Sequence, residues 1–473
     1  MPALPEASYR KGAVHTIKNL RLTDHWFKLP LTHGLSYGKG QEASQDCPYA
    51  QDTITVFARE VVDTSAQLTY PPEKRPYLIY LQGGPGGMGP RPVTESGWVA
   101  ELAKSHRLIL LDQRGTGNST PLSAATITAQ GTPEQQAQYL ELFRADSIIA
   151  DAEKIRQILL SERQDQRWST LGQSYGGFLT LSYLSFAPQG LKDCRITAGL
   201  APIRSHIDRV YQHTLTQTAK RNRQYYSYYP EDIKQAQKIS QFLRDHKVIL
   251  PTGERLTDHR FQMLGVCLGA NSRIHSLHYI LESAFAEGPN RLSSQFLAAV
   301  SSRVSYESAP LYALLHESIY ADGPQDGQLT DIPGQQLTPS PAPTNWSAAR
   351  MAAQRPEFCP QAETLLFTGE HIFPWYYQED PALRPLQDVA HLLAEKKDWG
   401  RLYDHEQLKN NPVPLAAAAY TPDIYVDYDH SMQTAQWVKN SSVWTSQTHH
   451  HDGLSADSTT ILEHLKNLLA NMR

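Results

Sequence analysis

Arg167-Trp168-Ser169-Thr170-Leu171-Gly172-Gln173-Ser174-Tyr175-Gly176 is the stretch that decides the fold. Its first five residues read as a short strand, and an apolar, helix-like run follows from Phe178 to Phe186. Between them Gly172-Gln173-Ser174-Tyr175-Gly176 reads as a sharp turn with a serine at its centre. This is the local pattern of a nucleophile elbow. The turn forces the serine into a strained backbone conformation, and side chains two residues either way would collide with it, hence the two glycines. Ser174 is expected to present its hydroxyl at the C-terminal edge of a sheet, with the backbone N–H of Tyr175 aimed at a developing oxyanion.

Upstream, two further strand-and-loop units support the same reading. Tyr77-Leu78-Ile79-Tyr80-Leu81 is a continuous apolar run of the kind buried on both faces, and it leads into Gln82-Gly83-Gly84-Pro85-Gly86-Gly87. Arg107-Leu108-Ile109-Leu110-Leu111 leads likewise into Asp112-Gln113-Arg114-Gly115-Thr116-Gly117. Strand followed by glycine-rich loop is the α/β pattern in which sites collect beyond the strands' C-terminal ends. Before these units, Val14 to Leu29 and Thr53 to Val62 read as antiparallel edge strands, separated by the polar stretch His33 to Gln51. Pro133 to Arg144 and Ser147 to Leu160 turn helical in spacing, with Ile148, Ala152, Ile155 and Leu159 on one stripe. Arg195 to Leu200 reads as the strand after the elbow helix.

From Ile203 to Glu395 the pattern is largely helical, as in Pro230 to Asp245 and Ser293 to Tyr306, with tyrosines crowded at 225, 226, 228 and 229. Gly323 to Thr344 is rich in Pro, Gly, Gln and Asp and reads as a long loop. Sheet-like sequence returns at Val413 to Tyr420 and Ser442 to Ser446, and a closing helix starts at Thr460, with Glu463 as its capping-box partner. The expectation is an α/β fold: a mostly parallel sheet flanked by helices, in parts 1–202 and 401–473, with a mainly helical cap inserted at 203–400.

Composition narrows the function. The 473 residues carry a net charge of −4 without any long Lys/Arg run, which gives no electrostatic support to a nucleic-acid or anionic-membrane partner. A small molecule or peptide is the expected partner. The four cysteines, Cys47, Cys194, Cys267 and Cys359, are scattered without C-x-x-C spacing, so reduced thiols in a cytoplasm are expected rather than a disulfide framework. No apolar run reaches the length of a spanning helix, and the N-terminus lacks a signal-like apolar core.

A serine hydroxyl is a poor nucleophile at neutral pH and needs a base, itself oriented by a carboxylate. In the strand–elbow–helix setting the chain order is Ser, acid, His, with both partners on loops after the last strands. After the Val413–Tyr420 run comes Thr421-Pro422-Asp423-Ile424-Tyr425-Val426-Asp427, and after Ser442–Ser446 comes His449-His450-His451-Asp452-Gly453. Asp423 is the expected acid, with Asp427 the second choice, and His451 is the expected base. Three adjacent histidines cannot all point at one ion, so no metal is expected there. The second oxyanion donor is expected from the glycine loop, at Gly84.

The Gly-Gly-Pro-Gly-Gly loop, Asp112-Gln113-Arg114-Gly115-x-Gly117 and Gly-Gln-Ser-Tyr-Gly-Gly, in that order, resemble the proline iminopeptidase (prolyl aminopeptidase) family of α/β-hydrolases. Leu315-His316-Glu317-Ser318-Ile319-Tyr320 and Phe367-Thr368-Gly369-Glu370-His371-Ile372-Phe373-Pro374-Trp375 resemble segments of its longer bacterial members. One departure is Gln82, where the family usually has His. The resemblance implies release of N-terminal proline from small peptides without metal or organic cofactor, with Glu317 and Glu370 matching cap carboxylates that hold the substrate's free amine. A buried cation needs an anionic partner. A carboxylesterase would use the same triad but has no use for those glutamates, and a tripeptide-releasing aminopeptidase would set its amine site farther from Ser174. A catalytically silent binding protein would have lost a triad member, and each position is filled.

Overall fold

The apolar runs that read as buried strands lie side by side in one nine-stranded sheet. The computed structural model describes residues 5–33, 48–65, 70–323 and 343–472. Its strands are β1 (Ser8–Ile17), β2 (Leu20–Pro30), β3 (Thr53–Asp63), β4 (Tyr77–Leu81), β5 (Arg107–Asp112), β6 (Trp168–Gln173), β7 (Leu191–Thr197), β8 (Leu415–Tyr420) and β9 (Ser441–Ser446). Their spatial order is β1-β2-β3-β5-β4-β6-β7-β8-β9. The pairings from β5 through β9 are parallel, whereas β1, β2 and β3 pair antiparallel and β3 joins β5 antiparallel. The sheet is mostly parallel, in an α/β-hydrolase arrangement.

Alternation along each strand builds two cores. Leu78 and Tyr80 of β4 pack with Leu108, Leu110 and Leu171 against the helices Gly97–Ala103 and Ser458–Asn471. Ile79 and Leu81 face the other way and pack with Ile109, Leu111 and the helices Ala145–Leu159 and Tyr175–Phe186. The stripe read from Ile148, Ala152 and Ile155 is buried on this second face. Burial on both faces is why these strands read as unbroken apolar runs.

Three local readings are corrected. The stretch Val14 to Leu29 is not one strand but the turn and arms of a hairpin, because Lys18 takes a left-handed conformation (φ 51°) and Ile17 pairs with Leu20. The strand after the elbow helix begins earlier than read, at Leu191, and ends at Thr197. The closing helix is capped by Asp457, whose side chain accepts from the Thr460 N–H at 3.2 Å, and not by Thr460 itself.

Between β7 and β8 the regular structure of the described chain is helical apart from a two-residue strand pair, Val248–Ile249 with Arg255–Leu256. Most of the loop read at 323–344, and Cys47, lie outside the described residues. The crowded tyrosines serve packing and polar satisfaction: Tyr226 Oη donates to the Leu365 carbonyl at 2.6 Å, Tyr225 Oη to Asp232, and Tyr229 stacks on His278 with centroids 4.0 Å apart. Cys194 and Cys267 are buried free thiols and Cys359 is an exposed one.

Candidate active site

Ser174 sits at the tip of β6, at φ 57° and ψ −127°, the cap of the helix Tyr175–Phe186. The neighbouring glycines are dictated by contact. A Cβ on Gly176 would lie 1.8 Å from the Leu81 carbonyl oxygen, and one on Gly172 would lie 2.2 Å from the carbonyl of Gly176. The strained serine is tied down by its own N–H, which donates to the Thr197 carbonyl at 3.1 Å. The turns beyond β8 and β9 bring two more groups to it. His451 Nε2 is 2.9 Å from Ser174 Oγ, and His451 Nδ1 is 2.8 Å from Asp423 Oδ2. The other oxygen of Asp423 accepts the N–H groups of Tyr425 and Val426 at 2.8 and 3.2 Å, which fixes the carboxylate. The edge of the Tyr425 ring lies against His451, with centroids 4.9 Å apart. Burial pulls the His451 imidazolium down, but the charge and hydrogen bond of Asp423, helped by Glu370, outweigh it, so its pKa is raised above the ordinary value.

The rival groups are engaged elsewhere. Asp427 caps the helix Tyr428–Trp437, accepting from the His430 N–H at 3.0 Å and facing His430 Nδ1 at 2.8 Å. His449 turns to Ser446 Oγ at 2.7 Å. His450 is buried, and burial lowers its pKa to about 4.

The glycine loop lies directly over the serine. A Cβ on Gly83 would come within 2.9 Å of Ser174 Cβ, and Gly84 has φ +134°, a conformation that side chains disfavour. The Asp112–Gly117 segment explains how this region is held. Asp112 Oδ1 accepts the Gly89 N–H at 2.9 Å and Oδ2 the Asn118 N–H at 2.7 Å, and the carboxylate pairs with Arg91. Gln113 Nε2 donates to the Gln82 carbonyl at 2.8 Å, so the loop is anchored through the backbone of residue 82. Arg114 makes a two-pronged, buried pair with Asp151 at 2.7 and 2.8 Å. Asp112 and Gln113 of this motif hold the first glycine loop, a task the sequence reading did not assign, while Arg114 ties the motif to Asp151 on the helix Ala145–Leu159.

Ser174, His451, Gly83, Gly84, Tyr312 and Glu370 line one cavity of about 440 Å³, to which Trp98, Arg273, Tyr425 and Asp452 also contribute. Glu370 Oε2 accepts from Tyr312 Oη at 2.7 Å. Burial raises its pKa to about 7, against the lowering pull of His451 and of the Tyr312 hydrogen bond, with the charge of Asp423 adding to the rise. Glu317 is not brought to this cavity. It is buried among the insert's own elements, where Oε1 accepts the Ala348 N–H at 3.0 Å at the start of the helix Ser347–Ala353. Position in a motif could not separate the two glutamates, since both follow apolar runs. Tyr312 and Tyr425, which the sequence reading missed as cavity residues, lay within or beside stretches it quoted.

A proline iminopeptidase of Aeromonas sobria is 38% identical over 452 residues, covering 95% of this chain and 97% of that protein. A proline iminopeptidase of Aspergillus aculeatus is 33% identical over 451 residues, covering 93% of this chain and 92% of that protein. The chain belongs to the proline iminopeptidase family. Its members are α/β-hydrolase enzymes, and residues 76–250 match the alpha/beta hydrolase fold model. A solved proline iminopeptidase-related protein of Thermus thermophilus is 14% identical, with a TM-score of 0.35 over 89% of this chain and 94% of its own, a likeness too distant to say more. Among the described residues no helix is long and apolar enough to cross a membrane.

Proposed function

We propose that the protein is a serine exopeptidase that releases N-terminal proline from small peptides, with Ser174, His451 and Asp423 as its triad. The observation that carries this reading beyond a generic hydrolase is Glu370, a carboxylate held by Tyr312 in the same cavity as the serine. A cavity for an apolar acyl group gains nothing from an anion, whereas a protonated prolyl nitrogen requires one. Family membership supports the same substrate.

In the proposed reaction His451 keeps its proton on Nδ1 against Asp423 and takes the Ser174 proton at Nε2 as Oγ bonds to the prolyl carbonyl carbon. The backbone N–H groups of Tyr175 and Gly84 hold the resulting oxyanion. Collapse breaks the amide bond, the departing amine takes the proton from Nε2, and a prolyl ester remains on Ser174. Water, deprotonated by His451, attacks that ester, proline leaves, and the serine regains its proton. The helical insert supplies Glu370 and Tyr312 and so acts as a cap that reads the substrate's end. Glu370 alone carries the amine contact in this reading, and Glu317 braces the insert. The free thiols suit a reducing compartment, and we place the enzyme in the cytoplasm.

The test is hydrolysis of proline naphthylamide, N-acetylproline naphthylamide and a short-chain p-nitrophenyl ester. Cleavage of the free-amine amide with the acetylated one spared is the expected result. Fast ester cleavage with both amides untouched would replace this reading with an esterase.

A further inference from the structure

We propose that His213, Asp427 and His430 form a binding site for a divalent transition-metal ion of the Zn²⁺ class, at the joint between the helical insert and the loop that carries Asp423. His213 belongs to the helix Ile207–Tyr228 of the insert, while Asp427 and His430 open the helix Tyr428–Trp437 that follows β8. The nitrogens of the two rings and the carboxylate oxygen lie within 4.8 Å of one another. His213 Nδ1 is 3.4 Å and His430 Nδ1 2.8 Å from Asp427 Oδ1, and the two rings meet edge to face with centroids 4.7 Å apart.

These separations fit the ion. Ligand atoms about 2.0–2.1 Å from a tetrahedral zinc stand roughly 3.3 Å apart, so the His213 arm already has the spacing and the His430 arm has to open by about 0.5 Å. Two imidazoles and a carboxylate form a borderline donor set that suits zinc, cobalt or nickel better than the oxygen-seeking magnesium or calcium. Asp427 and His430 are buried and held, with Asp427 Oδ1 fixed by the His430 N–H at 3.0 Å. The His213 side chain is 46% exposed, which gives an ion its entry and leaves room for water to complete the coordination. Ser174, His451 and Asp423 are not ligands, so the ion would stand outside the proposed reaction. It would tie the insert to the loop four residues beyond Asp423.

The site is tested on the full chain after chelator treatment, by calorimetric titration with zinc chloride and by the visible absorption of added Co²⁺. One ion per chain is expected, with a dissociation constant of about 10 μM or tighter and a four-coordinate cobalt spectrum. His213→Ala alters an exposed ring and is expected to fold normally, yet to weaken binding at least about tenfold. His449→Ala and His278→Ala serve as controls for adventitious binding and are expected to leave it unchanged. Absence of binding to the unaltered protein, or equal binding by His213→Ala, overturns the proposal, as does loss of binding in either control variant with His213→Ala unaffected.

Discussion

In the proposed reaction Ser174 and Glu370 carry two separable tasks at the residue scale, bond cleavage and substrate choice. Ser174→Ala is expected to reduce kcat on every substrate by roughly 10⁴-fold or more, read by steady-state hydrolysis of both amide and ester. Glu370→Gln keeps the shape and removes the charge. It is expected to reduce kcat/KM for proline naphthylamide by about 10²-fold and to change the neutral ester only a few-fold; equal losses on both would remove the amine role. The pH profile divides the same way. In the proposed reaction His451 serves as base only when deprotonated, and its pKa is raised by Asp423; the proposed amine contact of Glu370 needs its ionised form, which it takes near pH 7. Both requirements fail as pH falls. The acid limb of log kcat/KM is therefore expected to approach a slope of about two for the prolyl amide and about one for the ester, and Glu370→Gln is expected to bring the amide down to one.

Elements matter where a single contact sets their direction. The elbow is the clearest case, since a methyl group at Gly176 would overlap the Leu81 carbonyl on the neighbouring strand. Gly176→Ala is expected to cost roughly 3 kcal/mol or more in urea-induced unfolding, because backbone rather than a side-chain tip has to move. The closing helix gives a milder contrast: Asp457→Ala removes the hydrogen bond to Thr460 and is expected to cost about 1 kcal/mol with activity unchanged. The helix itself was legible from its leucine spacing. Its cap was not, because Ser, Thr and Asp all stand near its start and only the path of the chain decides which side chain reaches the free N–H groups. The hairpin at Lys18 escaped for a related reason: Lys-Asn is a weak turn signal, and strand-like residues continue on both sides of it.

Over the whole molecule, one buried arginine joins the insert to the sheet's helices. Arg144 lies with its guanidinium 4.3 Å from the ring centre of Trp399 and donates to the carbonyls of Ser318 at 2.9 Å, Gly400 at 3.3 Å and Ala321. Arg144→Met would remove the guanidinium donor from these carbonyls, of which that of Ser318 also accepts the Ala321 N–H at 3.1 Å. It is expected to destabilise by about 3 kcal/mol and to raise KM for the prolyl amide while kcat for the ester holds, because Glu370 is aimed by the insert and Ser174 by the sheet. Thermal unfolding and the two substrates measured side by side check this, and equal effects on both substrates would mean that insert and sheet fail together.

The residues themselves determined the strand, the elbow, the two glycine loops and the order of serine, acid and histidine, because these rest on local sterics and on burial that acts within a few residues. Only the tertiary structure decided among near neighbours. Asp423 faces His451 while Asp427 caps a helix four residues on, the third of three adjacent histidines reaches the serine, and Glu370 enters the cavity while Glu317 supports Ala348. In each pair the residue types are alike and their local surroundings similar, and what separates them is the direction in which packing against distant chain turns the side chain.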